Sequence, residues 1–432
     1  MILIFNKERR ALMKKIVFIT SRLPYPANSG RKNVMYNYCK ILHEVYKYEV
    51  YVASFLEMGD VVEPKPPFIK DVFILRNVGT KKKLTNLFLK TFLTRKYPIQ
   101  VSLYYDEQIK LELWDFIDEI NPEFIMADMV RTTEYIRDYN GFKIADLDDL
   151  ISIRYKRQIK MNLKYINPYG SYLYSLPEII QIILSCVPFK KYILKKEIYL
   201  LEKYEEDISS CFDKTVFVAQ HEADLLNEKM KFDKAVSIPL GVDVEYFGEY
   251  YNKLNVEQNT ICFLGAMSVA HNESGVIYFI KEVLPLVRDK VQNAKFIIVG
   301  GGVTELVRKL AAEDQNIILT GRVKDVRRHV GQSSVFVCPL TFGSGIKTKN
   351  LEAMAMGVPV VTTSIGAENI NAVNNRDWIV ADSSLDFANA IIELLNNKEK
   401  ASLLRKNANK FVTDNFTWKI AEEKMTQIFP NI

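Results

Sequence analysis

The sequence predicts an α/β protein whose strands form doubly wound parallel sheets in two domains. Short apolar runs rich in β-branched residues alternate with helix-length segments, and this alternation is typical of repeated β-α units. A length of 432 residues is sufficient for more than one hydrophobic core. At two places, near Gly30 and near Gly343, a glycine-containing loop joins an apolar strand to a helix, as at the ligand crevice of open α/β sheets.

Composition excludes a disordered chain, because 48% of the residues are hydrophobic and 25% are charged. The net charge is +6, and basic residues without intervening acids cluster over 81–96 and 154–164. Such clusters suit phosphate-bearing partners, although solvated helix faces explain them equally well. Nucleic acid is not expected as a partner, because the chain shows neither a binding motif nor a large charge. The 5 cysteines lack CxxC spacing, which indicates a reducing, cytoplasmic location.

The N-terminal half is predicted to hold strands over 15–20, 49–55, 71–75, 124–127, 143–146 and 214–218. A helix over 80–95 places leucine and phenylalanine on the side opposite its lysines. This pattern fits a domain helix whose apolar side meets the core, and it also fits a helix lying on a membrane surface. The same two interpretations apply to a helical insertion at about 150–205. No apolar run reaches the ~18 residues that a membrane span needs.

Acidic side chains follow two of these strands, and ligand chemistry in open α/β sheets lies at the carboxyl ends of strands. Asp128 follows one strand, and Asp146, Asp148 and Asp149 end the next. Metal binding, capping of the following helix and hydrogen bonding to ligand hydroxyl groups all fit the second cluster. Further carboxylates or histidines at ligand spacing are lacking, so no metal site is expected.

The C-terminal half begins after a predicted hinge at 236–247, where Pro239 and Gly241 break the periodicity. Strands are predicted over 260–265, 294–300, 317–319, 334–339 and 359–363, and a last helix over 416–428. The loop that starts at Gly343 opens a helix near residue 346. Backbone N–H groups and the positive end of a helix dipole meet at such a loop, so it is a candidate anion site. Lys347 and Lys349 add positive charge there, and an ion pair of Lys349 with Glu352 is the structural alternative.

The run GSGIKTKNLEAMAMGVPVV from Gly343 resembles the nucleotide-sugar signature of bacterial family 4 glycosyltransferases, and SIPLGVDVEYF at 237–247 is similar to their hinge. The resemblance implies the GT-B fold, in which two Rossmann-like domains face a central cleft. It implies an N-terminal acceptor domain over 1–240, a donor domain over 241–410 and a helix over 411–432 that returns to the first domain. It implies donor contacts from Gly30, Gly265, Asn272, Arg322, Val323, Gly343, Ser344, Gly345, Ile346, Lys347, Lys349 and Glu352.

Within that set, the resemblance assigns the donor diphosphate to the glycine loop, the ribose hydroxyls to Glu352 and the nucleotide base to the segment of Arg322. Lys347 and, by a weaker match, Asp128 are the expected catalytic residues. Many relatives carry a sugar-facing glutamate where this chain has Ser344, and an arginine and a lysine where it has His271 and Asn272.

The resemblance therefore implies transfer of a hexose-type sugar from a UDP-sugar or GDP-sugar, with retention and without an obligatory cofactor. The basic, aromatic-rich N-terminal half favours a glycan or lipid-diphosphate-linked acceptor, as in capsule, O-antigen or exopolysaccharide assembly. We then expect a cytoplasmic protein that meets the anionic inner face of the plasma membrane. A nucleotide-sugar epimerase or hydrolase on the same fold, and a non-catalytic nucleotide-sugar-binding protein, are the alternatives.

Overall fold

The computed structural model describes residues 14–27, 30–57, 59–159, 187–249, 255–343 and 345–430. Two parallel sheets of seven and six strands, each with its own helices, make up this part of the chain. The predicted fold class is therefore confirmed. Expectations for the first 13 residues, for 160–186 of the insertion and for Ser344 lie outside the described residues.

The N-terminal sheet contains seven strands in the order β3-β2-β1-β4-β5-β6-β7. Its strands are β1 (Lys15–Thr20), β2 (Glu49–Phe55), β3 (Ile69–Leu75), β4 (Phe124–Asp128), β5 (Phe142–Asp148), β6 (Lys214–Phe217) and β7 (Ala235–Ser237). Its helices are α1 (Gly30–Glu44), α2 (Thr80–Asn86), α3 (Ile99–Ser102), α4 (Glu107–Ile120), α5 (Val130–Thr133), α6 (Ile151–Ile159), α7 (Val187–Cys211) and α8 (Gln220–Met230). A π-helical segment, Leu87–Leu93, continues α2.

The C-terminal sheet contains six strands in the order β10-β9-β8-β11-β12-β13. Its strands are β8 (Glu257–Leu264), β9 (Lys295–Val299), β10 (Ile317–Gly321), β11 (Ser333–Cys338), β12 (Val360–Thr362) and β13 (Ile379–Val380). The helices of this half are α9 (Val244–Gly248), α10 (Ala270–Tyr278), α11 (Leu284–Arg288), α12 (Glu305–Ala312), α13 (Arg327–Val330), α14 (Thr348–Ala355), α15 (Ser384–Asn396), α16 (Lys398–Asn415) and α17 (Trp418–Met425). A π-helical segment, Phe279–Val283, joins α10 to α11.

The central strands are apolar on both faces because helices cover both sides of a parallel sheet. In β1, Ile16 to Ile19 are fully buried, and Ile16 pairs with Phe124 of β4 in parallel register. The same register continues from β4 to β5, where Asp128 pairs with Asp146. Parallel pairing therefore brings the acidic ends of two strands to the same edge of the sheet.

The segment over 80–95 turns its apolar side outward, so the interpretation as a helix with a core-facing apolar side is wrong. Phe88 and Leu93 are 65% and 64% exposed. The buried side is polar: Asn86 donates hydrogen bonds to two backbone carbonyls, and Thr91 bonds Ser102. These partners satisfy the inward-facing polar groups, which leaves the leucines and phenylalanines on the surface. Among the described helices, none combines the length and the apolar composition that a membrane span needs.

The C-terminal end of the chain contacts the N-terminal sheet. The Tyr46 hydroxyl donates a 2.7 Å hydrogen bond to the Glu422 carbonyl in α17. The Phe429 ring packs against the rings of Tyr48 and Phe124, with centroids 6.0 and 5.2 Å apart. Buried apolar residues of both sheets belong to one continuous cluster, so the two halves share part of their core.

Candidate functional site

A cavity of about 570 Å³ lies between the two halves of the chain and carries most of the predicted site residues. Its N-terminal wall includes Gly30 and Asn33 of α1. Its C-terminal wall includes Gly265, His271, Asn272, Ile346, Lys347, Lys349 and Glu352. We call it the basic cavity, because two lysines and a histidine converge on it.

The glycine loop takes the backbone from β11 to the start of α14 at the edge of the basic cavity. Gly343 and Gly345 have φ angles of 134° and 74°, which are strained for residues with a side chain. A Cβ atom on Gly343 would lie 3.7 Å from both the His271 ring and the Lys347 side chain. Glycine is therefore needed here for the backbone conformation of the loop, and α14 begins at Thr348, two residues later than predicted.

Lys349 is held at the floor of the basic cavity. Its ammonium group donates a 2.6 Å hydrogen bond to Asn272 Oδ1 and lies 4.4 Å above the centre of the Phe263 ring. Asn272 in turn donates a 2.9 Å bond to the Ala266 carbonyl. Gly265 makes room for this arrangement, because a Cβ atom there would lie 2.8 Å from Lys349 Nζ.

The other basic groups also belong to the loop region. Lys347 is 6% exposed, and its ammonium group donates a 2.6 Å hydrogen bond to the Gly345 carbonyl. Burial lowers the pKa of Lys347, and it lowers the pKa of Lys349 to about 8. Burial, with help from both lysines, lowers the pKa of His271 to about 4. Burial therefore disfavours positive charge in this cavity, and a bound anion would relieve that penalty.

Glu352 lines the same cavity one turn into α14. Burial raises the pKa of its carboxyl group to about 7, and the charge of Lys349 opposes this shift. Near neutral pH the group can therefore donate as well as accept hydrogen bonds. A ligand with both an anionic group and hydroxyl groups would find partners for each within this cavity.

Four described donor contacts do not line the basic cavity: Gly343, which lies beside it, Gly345, which lines a neighbouring pocket, Arg322 and Val323. Val326 lines the basic cavity, whereas Arg322 and Val323 are not among its lining residues. Arg322 instead lies against Gly301, where a Cβ atom would be 3.4 Å from the Arg322 Cβ. Ser344 lies outside the described residues.

Asp128 belongs to a buried charge cluster around Arg31, a residue that the sequence analysis missed. Arg31 Nε lies 2.6 Å from Asp128, and its Nη atoms lie 2.8 Å from Asp146 and 3.1 Å from Asp148. The second oxygen of Asp128 accepts hydrogen bonds from the backbone and hydroxyl of Ser21. Both oxygens of Asp128 are thus engaged within the fold, and its catalytic role stays a prediction.

The acidic cluster therefore surrounds an arginine, and nowhere in the described ranges do three or more potential ligand residues form a metal site. Burial raises the pKa of Asp146 to about 6, although Arg31 opposes the shift. The sequence signal for this arrangement was an arginine at the start of α1 in a chain where two strands, β4 and β5, end in aspartate.

A second pocket adjoins the basic cavity and shares Gly30, Ile346 and Thr348 with it. Its N-terminal wall includes Asp148, Asp149, Arg154 and Glu222, and Asn369 contributes from the other half. We call it the acidic pocket. Asp149 forms an ion pair with Arg154. Glu222 is 2% exposed, and its Oε2 atom has no hydrogen-bond partner in the described parts of the chain.

Comparison with known proteins connects this geometry to an enzyme class. A model of the family "Glycosyl transferases group 1" matches residues 258–397, which include the glycine loop and α14. A protein encoded in the cps region of Klebsiella pneumoniae is 26% identical over 94% of this chain and 97% of its own length.

A GDP-mannose-dependent phosphatidylinositol monomannoside mannosyltransferase of Mycobacterium tuberculosis is 31% identical over 33% of this chain and 40% of its own length. The crystal structure of HepE from Anabaena in complex with UDP aligns over 97% of this chain and 100% of its own, with a TM-score of 0.61 and 12% identity. That likeness concerns the fold. Residues 258–397 are thus similar to a glycosyltransferase group 1 domain that includes most of the basic cavity, in a chain whose two parallel-sheet domains have the GT-B fold.

Proposed function

We propose that the protein moves a hexose-type sugar from a nucleoside-diphosphate sugar to a glycan or lipid-linked acceptor in bacterial surface polysaccharide synthesis. The observation that carries the proposal is the convergence of Lys347, Lys349 and the start of α14 on one cavity, with Glu352 beside them. The cps-region relative supports the polysaccharide context.

The chemistry of glycosyl transfer fits this cavity. Negative charge builds on the leaving diphosphate as the glycosidic bond breaks, and positive groups fixed there stabilise the transition state more than the ground state. The two lysines and the helix N-terminus supply that stabilisation from the chain itself, so the proposal requires no obligatory cofactor. In this arrangement Lys347 and Lys349 hold the diphosphate, and Glu352 accepts hydrogen bonds from the ribose hydroxyls.

The donor is a UDP-sugar or a GDP-sugar. HepE binds UDP, and the mycobacterial relative uses GDP-mannose, so the relatives include both nucleotide classes. In the proposal the base lies against the segment of Arg322 and Val323, close to Val326. Transfer proceeds with retention, as the family resemblance implies.

Thermal denaturation with UDP, GDP and ADP tests the donor site. A ligand present at about 100 times its dissociation constant adds ~2.7 kcal/mol of stability, which is an easily measured rise in Tm. We expect one nucleotide to raise Tm in the wild type and to lose that effect in Glu352→Ala. Glu305→Ala is the control, because Glu305 begins α12 and does not line the cavity. If no nucleotide raises Tm in the wild type, the proposal fails.

We further propose that the protein meets an anionic membrane surface through the apolar strip, defined as Leu84, Phe88, Leu89, Phe92 and Leu93. All five side chains are at least 37% exposed. Exposed basic residues flank them at Lys81, Lys82, Arg95 and Lys96. Apolar side chains with a basic rim match the boundary between acyl chains and anionic headgroups. A lipid-linked acceptor would then lie at the same surface.

Co-sedimentation with vesicles tests the apolar strip. We expect the wild type to pellet with phosphatidylglycerol vesicles and to remain free of phosphatidylcholine vesicles, because binding needs both apolar contact and opposite charge. The double variant Phe88→Ser/Leu93→Ser is expected to lose most of the binding. Leu403→Ser in α16 is the matched control, since Leu403 is 61% exposed but lies in the other half. Equal pelleting of wild type and double variant contradicts the proposal.

The domain limits given by the sequence remain part of the proposal: 1–240 for the acceptor, 241–410 for the donor and 411–432 as the returning helix. Two contacts support the return. The Tyr46 hydroxyl donates a hydrogen bond to the Glu422 carbonyl in α17, and the Phe429 ring packs against the ring of Phe124.

A further inference from the structure

The acidic pocket lies directly beside the basic cavity but differs from it in charge. Four carboxylates, those of Asp128, Asp146, Asp148 and Asp149, surround the guanidinium groups of Arg31 and Arg154. Within the described residues, each arginine that lines the pocket is thus already neutralised by an acid. A phosphate or carboxylate group entering this pocket would meet excess negative charge, whereas the same group in the basic cavity meets lysines.

Glu222 adds a polar atom that the fold itself does not satisfy. The side chain sits in the first turn of α8, and the backbone of Leu150 hydrogen-bonds its carboxyl group. The Oε2 atom is buried and lacks a partner among the described residues. A buried polar atom without a hydrogen bond is costly, so such an atom in the wall of a pocket indicates a ligand that completes it.

Hydroxyl groups are the partners that fit this wall. Burial raises the pKa of Glu222 to about 8; Asp149 adds to this shift, and Arg157 and Arg154 oppose it. Near neutral pH the carboxyl group can therefore donate a hydrogen bond as well as accept one. A hydroxyl group both donates and accepts, so neighbouring hydroxyls of one sugar ring can satisfy Glu222 and the aspartates together.

We propose that the acidic pocket binds the uncharged, hydroxyl-bearing sugar at the reacting end of the acceptor, and that Glu222 hydrogen-bonds one of its hydroxyls. The inference rests on the proposed function, because it takes the neighbouring basic cavity to hold the donor. It deepens that function by naming the class of acceptor. The acceptor ends in a neutral sugar, and any phosphate or uronic acid that it carries lies outside this pocket.

Saturation-transfer NMR on UDP-saturated protein tests the proposal. The neutral probes are methyl glycosides of common hexoses, N-acetylhexosamines and 6-deoxyhexoses, and the charged probes are methyl glucuronide and glucose 6-phosphate. We expect signal transfer to at least one neutral glycoside and none to the charged sugars. Glu222→Met, which replaces the carboxyl group by an apolar group of similar size, is expected to weaken binding about tenfold. Glu222→Gln is expected to retain most of it, because an amide also donates and accepts.

Two controls separate the possible failures. Glu197→Gln changes another buried carboxyl group of the same domain, one that bonds the backbone of Ile99 and Gln100, and it should leave glycoside binding unchanged. UDP should still raise the Tm of Glu222→Met, which shows that the cleft of the variant is folded. If it does not, the proposal is tested by Glu222→Gln and by the comparison of neutral with charged probes in the wild type. The proposal is overturned if the charged sugars bind as well as the neutral ones, if no neutral glycoside binds, or if Glu222→Met binds normally. Failure of the donor proposal would appear separately, as absence of any effect of UDP, GDP or ADP on the Tm of the wild type.

Discussion

Lys349 Nζ lies 2.6 Å from Asn272 Oδ1, and this hydrogen bond links α14 to α10 across the floor of the basic cavity. The resemblance placed an arginine and a lysine of many relatives in the loop that here contains Asn272. In this chain the positive charge comes from α14, and α10 supplies the amide that positions it. A contact between two elements therefore fixes the cation at the floor of the cavity.

The first prediction concerns Lys349→Met. Removing one fixed group that stabilises developing negative charge typically costs about 3 kcal/mol of barrier, so we expect kcat to fall roughly a hundredfold. The pKa of Lys349 is lower in the folded protein than in the unfolded chain, because burial disfavours the charged form. The buried charge therefore destabilises the folded protein without ligand near pH 7. The Tm of the variant without ligand should therefore equal or exceed the wild-type value. Steady-state transfer rates and thermal denaturation check both parts; an unchanged kcat contradicts the assignment.

The second prediction concerns the pH dependence of UDP binding. Burial lowers the pKa of Lys349 to about 8, and a bound diphosphate would favour the charged form and raise that pKa. Affinity should therefore stay constant below pH 8 and fall above it, by up to tenfold per pH unit. His271 does not contribute, because its pKa of about 4 keeps it neutral over this range. Titration calorimetry at pH 7.5, 8.5 and 9.5 measures the effect.

Lys349→Met is the control for this profile. The variant lacks Lys349, so its weaker affinity for UDP should fall less steeply between pH 7.5 and 9.5 than that of the wild type, and the difference in slope is the contribution of Lys349. A wild-type dissociation constant that does not change over the same range would show that Lys349 does not sense the diphosphate. A variant with the wild-type slope would assign the titration to another group.

Much of the fold follows from local sequence. The predicted limits of β1 and β2 coincide with those of the structure, because strands buried on both faces are continuous apolar runs. The segment over 80–95 shows where periodicity stops being informative. The pattern distinguishes an apolar from a polar side of the helix but does not predict which side faces the core. In the structure the polar side faces inward, because Asn86 donates hydrogen bonds to the carbonyls of Ser102 and Tyr105.

The candidate site was predicted where its residues share one motif. The run from Gly343 to Glu352 is continuous in sequence, and the structure places its described lining residues in one cavity. Arg31 was missed because its partners Asp128 and Asp148 lie 97 and 117 residues away, and only the parallel register of β4 and β5 brings them together. Glu222 was missed because a glutamate in the first turn of a helix also fits an ordinary interaction with the helix dipole.

The third prediction concerns Gly265→Ala. The new Cβ atom would lie 2.8 Å from Lys349 Nζ and from Asn272 Nδ2, so both side chains must move. Lys349 can bend away, so we expect a folded protein that loses about 1 kcal/mol of stability and most of the UDP-induced rise in Tm. Gly79→Ala is the control, because nothing lies within 4 Å of its Cβ position. If Gly265→Ala responds to UDP like the wild type, the contact between Lys349 and Asn272 is not needed for binding.

The fourth prediction concerns Arg31→Met. Asp128 and Asp146 are 1% and 0% exposed, and removing their arginine leaves buried charge uncompensated, which typically costs 3–5 kcal/mol. The pKa of Asp146 is already raised to about 6, and loss of Arg31 raises it further. The folded state then holds a proton that the unfolded state has released, so stability falls as pH rises from about 4 through the folded pKa. The loss of stability caused by the substitution should accordingly be smaller at pH 5 than at pH 7.5, as measured by urea denaturation. Arg76→Met is the control, because Arg76 and Glu112 form an ion pair whose side chains are 48% and 44% exposed, and it should cost less than about 1 kcal/mol at both pH values. A similar, pH-independent loss in Arg31→Met would show that the cluster does not behave as a buried charge network.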